Sequence, residues 1–106
     1  MNEQIITTTI VQHPLRVDLS SGLVHFLERN RCVKLTPTEA RMFAAFVQQQ
    51  LLSDSQVAEH VFHCPLDKKV YEMMEKHIDN LRAKIRAHGC DIRRVMRYGY
   101  VLLFLE

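Results

Sequence analysis

No apolar run in these 106 residues approaches the roughly 20 that a membrane-spanning helix requires. No basic cluster precedes the apolar stretch of the opening MNEQIITTTIVQ, as a secretory signal demands. A soluble, cytoplasmic chain with no membrane partner is expected. Cysteine is scarce and odd in number. Cys32, Cys64 and Cys90 are widely spaced, which excludes a disulfide framework and a CxxC redox or zinc motif, so reduced thiols are expected. The three glycines, Gly22, Gly89 and Gly99, fall at turns and form no phosphate-binding loop. No repeat, low-complexity tract or Gly/Ser/Pro linker breaks the chain, so residues 1–106 read as a single domain with room for one core.

Catalytic and metal constellations are equally thin. His60, His63 and Cys64 are close in sequence, and a thiolate with two imidazoles suits zinc. No fourth ligand accompanies them unless Cys90 or His88 folds back, and surface histidines beside a small apolar cysteine are the simpler reading. A Cys64 nucleophile lacks any sign of an orienting group or oxyanion pocket. Glu72, Glu75 and Asp79 share an exposed helix face, with no cleft to shift a carboxyl pKa. The expectation is no enzyme activity, no cofactor and no metal.

What is present is an uneven distribution of charge. The formal net charge is only +2. Between Lys68 and Tyr98, however, nine basic residues stand against four acidic ones, which leaves the rest of the chain net negative by three. A basic segment on an acidic body is the footprint of a polyanion-binding surface, although small domains also acquire one by chance.

The order of elements is legible from punctuation and period. Residues 5–11, 15–19, 23–27 and 32–35 are short, rich in Ile, Val, Leu and Thr, and separated by HisPro, SerSerGly and ArgAsnArg; they predict an antiparallel sheet over about 5–35. Three helices follow over about 37–88. In the first, Thr36 caps, Pro37 takes the first position and Glu39 completes a capping box, while Ala40, Phe43, Ala44 and Val47 form a buried face. A second box, Ser53 with Gln56, opens a helix of two to three turns whose stripe is Val57, Ala58, Val61 and Phe62. The third helix runs from a cap at Asp67 to Gly89, with Val70, Met74, Ile78, Leu81 and Ile85 buried. A hairpin over about 91–105 turns through Met96, Arg97, Tyr98 and Gly99. The fold class is α+β.

In order along the chain, LRVDLSSGLVHF, VKLTPTEARMF, SDSQVAEHVF, EKHIDNLRAKI and RYGY resemble the DNA-binding half of the OmpR/PhoB class of response regulators over about residues 15–104. The resemblance implies a winged helix-turn-helix, with the closing hairpin as wing, and a sequence-specific transcriptional regulator of double-stranded DNA associated with the nucleoid. It resembles stand-alone versions of the module: no receiver domain is expected, so phosphorylation control does not carry over, and with only Glu106 after Leu105 the membrane-anchored versions are not expected.

With Leu81 at the centre of the buried face, 100° per residue puts Lys69, Glu72, Glu75, Lys76, Asp79, Ala83 and Arg86 opposite, flanked by Asn80 and Arg82. The family's groove-facing positions map onto Glu75, Lys76, Asp79, Asn80 and Ala83, and its backbone-contacting ones onto His77 and Arg82. Side-chain chemistry suits Asn80 to adenine, Asp79 to cytosine and Lys76 to guanine or phosphate. Arg82, Lys84 and Arg86 suit phosphates, and Arg97 and Tyr98 of the wing suit the minor groove or backbone. Ser53 and Ser55 offer hydroxyls and free amides to a phosphate. In the family, the loop holding Pro65, Asp67, Lys68 and Lys69 can contact RNA polymerase; here these are equally read as solvated loop residues.

Two departures stand out. Asp79 and Asn80 occupy frequent basic positions of the helix, and Met96 and Arg97 replace the usual Arg-Gly of the wing. The same face also reads as a solvated surface with a Glu72 to Lys76 pair at i, i+4, worth about 0.3–0.5 kcal/mol. The alternative function is a protein-interaction module that binds a second regulator or RNA polymerase. The apolar last strand, VLLFL, is then either buried core or an edge that makes a homodimer.

Overall fold

The computed structural model describes residues 9–12 and 14–105. Four short strands, β1 (Thr9–Gln12), β2 (Leu15–Asp18), β3 (Leu23–Phe26) and β4 (Arg31–Lys34), form an antiparallel meander in chain order. Residues 5–8 of the predicted first strand lie outside the described residues. Alternation sets the meander's faces: Leu15, Val17, Val24 and Phe26 point inward and are buried, while Arg16 is exposed, as a half-buried sheet requires.

Helix α1 (Pro37–Gln49) starts where the sequence places it. Thr36 Oγ1 accepts from the Glu39 amide at 3.2 Å and Glu39 Oε1 accepts from the Thr36 amide at 3.0 Å, which satisfies two of the orphan donors of a helix start. Its inward face, Ala40, Phe43, Ala44 and Val47, is joined in the core by Met42 and Phe46. Burying side chains of this size stabilises by roughly 1.5–3 kcal/mol each.

The second helical segment, residues 54–62, has the expected length and carries the whole stripe, but its winding changes partway. The Ser53–Gln56 box is formed, but α2 (Asp54–Val57) passes directly into a single π-turn over Ala58–Phe62 and ends at a left-handed His63. Val57, Ala58 and Val61 are buried and Phe62 half-buried. Helix α3 (Lys68–Ile85) is capped by Asp67, whose Oδ1 accepts from the Val70 amide at 2.8 Å. It buries Val70, Met74, Ile78, Leu81 and Ile85. A 3-10 turn over Arg86–His88 then ends at Gly89, whose φ of +87° is the left-handed stop expected of glycine.

The one element that sequence reading missed is β5 (Leu51–Ser53), between α1 and α2. The hairpin β6 (Cys90–Val95) and β7 (Gly99–Phe104) is therefore part of a three-stranded sheet of order β5-β7-β6. This narrows one reading of VLLFL: β7 is the central strand, paired with β6 over its whole length and with β5 over Gly99–Val101, so an edge for a homodimer is left only at Leu103 and Phe104. Gln50 ties the sheet to α1. Its backbone carbonyl accepts from the Leu102 amide at 2.8 Å, and its side-chain amide donates to the Leu102 carbonyl at 3.0 Å. No helix among the described residues is long and apolar enough to cross a membrane.

Candidate nucleic-acid interface

Helix α3 presents a polar outer face because its inner stripe is consumed by the core. Lys69, Glu72, Glu75, Lys76, Asp79, Asn80 and Ala83 are all exposed. Lys69, Lys76, Asp79 and Asn80 make no hydrogen bond or ion pair among the described residues. The expected Glu72 to Lys76 pair is likewise not formed there; exposed lysines gain too little from such contacts to give up their rotamer freedom. His77 is half-buried, with its ring 5.7 Å from that of Phe62. That contact holds His77 at the seam between α3 and the π-turn.

Past the middle of α3, the cations are organised by two buried carboxylates. Glu39 of α1 is buried and accepts from Lys84 Nζ at 2.6 Å. Asp91, with 0% of its side chain exposed, accepts from Arg82 Nε at 3.0 Å and Arg93 Nε at 2.8 Å, and lies 3.9 Å from Arg86 Nε. Lys84 and Arg82, read from the sequence as phosphate contacts, thus each already meet a carboxylate of the domain. For the arginines the engagement is partial. Each meets Asp91 through Nε, and a guanidinium has further donors on its two terminal nitrogens, so the carboxylate orients the groups while their outer edges stay available. Three guanidiniums on one carboxylate leave a local excess of +2. Asp91 and Arg93 were not identified from sequence, although a signal existed: Asp91 is the one acid between Arg86 and Arg97.

Burial alone would raise the Asp91 carboxyl, but hydrogen bonds from Arg93 and Arg82 and the charge of Arg82 outweigh it and hold the group below its ordinary value of 3.8. Glu39 is held low in the same way, with burial opposed by Lys84 and by the Thr36 amide. A carboxylate depressed in the folded state contributes stability above its unfolded pKa and loses it as pH falls through the folded one. Asp91→Asn is therefore expected to melt below the wild type at about pH 7, with the gap closing as pH drops below about 4. Circular dichroism melts across that range check this; a gap independent of pH would rule out the carboxylate as its source.

The start of α2 differs from expectation. Ser53 Oγ and its amide are used by the capping box, and the Asp54 amide donates to the Tyr98 carbonyl at 2.9 Å. The amides expected to be free at Ser53 are taken, which leaves Ser55 as the exposed hydroxyl. The Asp54 carboxylate lies in a bidentate pair with Arg94, at 2.7 and 3.0 Å. The Arg94 guanidinium also lies over the rings of Tyr71 and Tyr100, 5.6 and 5.0 Å from their centres. Such stacking adds roughly 0.5–1 kcal/mol at exposed sites. Arg94 is therefore a brace for the hairpin.

At the hairpin tip the Tyr98 amide donates to the Val95 carbonyl at 3.0 Å. Met96, Arg97 and Tyr98 all face solvent, Met96 with 80% of its surface exposed. Arg97 takes a left-handed backbone with φ +63°. Pro65 and Asp67 of the loop and Lys68, the first residue of α3, are exposed, with Asp67 spent on capping α3. Cys90 is buried, and burial pushes its thiol up to about 11 despite the pull of Arg29. Among the described residues, no cluster of three or more His, Cys, Asp or Glu is placed to hold a metal ion.

No family model matches the chain, and no curated protein matches it. Among solved structures, it is similar to the DNA-binding domain of CpxR from E. coli, at 19% identity and a TM-score of 0.71 over 92% of this chain and 98% of that one. It is also similar to the C-terminal domain of the nisin resistance regulator NsrR, a lantibiotic response regulator, at 22% identity and a TM-score of 0.64 over 95% and 96%. At these identities the likeness shows the fold: the chain is an α+β winged helix-turn-helix, with β6 and β7 as the wing.

Proposed function

We propose that this domain is a sequence-specific, double-stranded DNA-binding transcriptional regulator, with α3 in the major groove and the wing on the minor groove or backbone. The observation that carries the reading is the outer face of α3. Lys76, Asp79 and Asn80 stand exposed without partners among the described residues, on a helix whose opposite face is buried. The fold it shares with the DNA-binding domain of CpxR supports it.

In this arrangement Asn80 pairs with adenine, Asp79 accepts from cytosine, and Lys76 reaches guanine or a phosphate. Lys69, His77 and Ser55 approach the backbone. The terminal nitrogens of Arg82, Arg86 and Arg93 contact phosphates in an orientation set by Asp91, and Arg97 and Tyr98 do so from the wing. Lys84 contributes less, because Glu39 holds its ammonium. Three acids on the α3 face oppose close phosphates, so most of the affinity comes from the wing and the arginine cluster. The domain acts alone or as a homodimer on repeated half-sites.

The test is a fluorescence anisotropy titration on promoter duplexes at several salt concentrations. Binding is expected at ~50 mM salt, with log K falling linearly as log salt rises; no binding at ~50 mM sinks the reading. Asn80→Ala is expected to relax discrimination at one base pair by about 1–3 kcal/mol while leaving the salt slope unchanged.

A second reading, a module that docks on another regulator or RNA polymerase, is favoured by the outer face of the three-stranded sheet. Leu51 and Val101 pair across it, and Leu51 is 45% exposed. Capture of a partner by a protein that binds no duplex in the titration would reverse the ranking.

A further inference from the structure

We propose that Met96 is an apolar wedge that enters a base step from the minor groove, unstacking it and bending the bound duplex. This rests on the DNA-binding reading above and assigns a role to a residue that reading leaves idle. A single exposed methionine is ordinary on a protein surface. The mounting of this one is not.

Met96 is the most exposed of the large apolar side chains among the described residues, at 80%. It opens the three-residue tip of a hairpin paired as far as Val95 and Gly99. Forcing stacked bases apart costs a few kcal/mol per step, and a tip can deliver that only if its base does not yield. Here the base is held from three directions. The Asp54 amide bonds the Tyr98 carbonyl at 2.9 Å. β5 pairs with β7 down to Ser53 and Gly99. The Arg94 guanidinium locks onto Asp54 at 2.7 and 3.0 Å while lying over Tyr71 and Tyr100.

The chemistry at the tip suits a base step. Methionine is unbranched, slim and polarisable, and its sulfur packs well on aromatic rings, whereas a charged side chain gains little between stacked bases. Its neighbours supply what it lacks. Arg97 adds the cation that a minor groove or its phosphates attract, and Tyr98, 45% exposed, adds a flat ring with a hydroxyl for the sugar edge. An apolar wedge beside a cation is a combination that kinks DNA towards the major groove.

The experiment uses duplexes that the wild-type protein recovers from a random pool at ~50 mM salt, with 2-aminopurine placed at one adenine at a time. Unstacking releases that base from quenching. The expected result is brightening at one step with wild type and Met96→Leu, lost with Met96→Ala, whose melting temperature is little changed because the residue is 80% exposed. Affinity of Met96→Ala falls several-fold. If 2-aminopurine stays quenched at every position although the wild type binds, the wedge is overturned and the DNA-binding reading stands. Equal brightening with Met96→Ala also overturns it. If the pool yields no bound duplex, both fall together.

Discussion

Gly99→Ala is expected to lower the melting temperature by on the order of 15 °C and to cost the wing its mount. A Cβ at position 99 would lie 1.9 Å from the Leu52 carbonyl oxygen and 2.6 Å from the Ser53 Cα. Both are backbone atoms of β5, so no side chain can swing aside. The reason for glycine is space alone, since its backbone torsion lies outside the left-handed region. Relief requires β5 to leave β7, which removes the Leu51 to Ser53 pairings. It also breaks the Asp54 to Tyr98 bond. Overpacking against immovable neighbours costs about 3 kcal/mol at the upper end of its usual range, and each kcal/mol shifts a domain of this size by roughly 4–8 °C. Calorimetry measures the loss, and hydrogen exchange at the Leu51–Ser53 amides locates it. A melting temperature within a few degrees of wild type would mean that β5 and β7 are not packed as described.

Arg97→Gly is expected to move stability and DNA affinity in opposite directions. The left-handed backbone at Arg97, φ +63°, costs a residue with a Cβ about 1–2 kcal/mol. Glycine removes that cost but brings roughly 0.5–1 kcal/mol of extra chain entropy in the unfolded state. A net gain of about 0.5–1 kcal/mol follows from the difference. A tip that keeps an arginine where glycine is more stable is strained for a reason other than folding. If the reason is a phosphate or the minor groove, the variant weakens all duplexes alike, about tenfold, and its salt slope falls by about 1. Thermal melts and anisotropy at several salt concentrations check the two halves independently. A more stable variant with unchanged binding would remove Arg97 from the interface.

The elements legible in the sequence are those governed by neighbours within one helical turn. The boxes at Thr36 with Glu39 and at Ser53 with Gln56, the cap at Asp67 and the stop at Gly89 all act over two to four residues, and all form as read. The stripe from Val70 to Ile85 is legible for the same reason, because a helical period is local. β5 was not: three residues between a helix end and a cap carry no period, and their strand conformation exists only because β7, some 50 residues later, pairs with them.

The candidate site divides along the same line. Which α3 residues face outward follows from period and was read correctly for Lys69, Glu72, Glu75, Lys76, Asp79 and Ala83, all exposed. Which cations are free does not follow. The segment from Lys68 to Tyr98 carries an excess of five positive charges by sequence. That excess shrinks once Glu39, 45 residues from Lys84, and Asp54, 40 residues from Arg94, are folded against it. The sequence alone determined the helices, their caps, the buried stripe and the basic character of the segment from Lys68 to Tyr98, because short-range sterics, hydrogen bonding, periodicity and composition suffice for these. Only the tertiary structure decided that Arg94 braces the wing, that Asp91 gathers Arg82, Arg86 and Arg93, and that Met96 and Arg97 are held out on a rigid tip. Partners in buried ion pairs and strand pairings are chosen by the packing of the whole chain, and no local pattern encodes that choice.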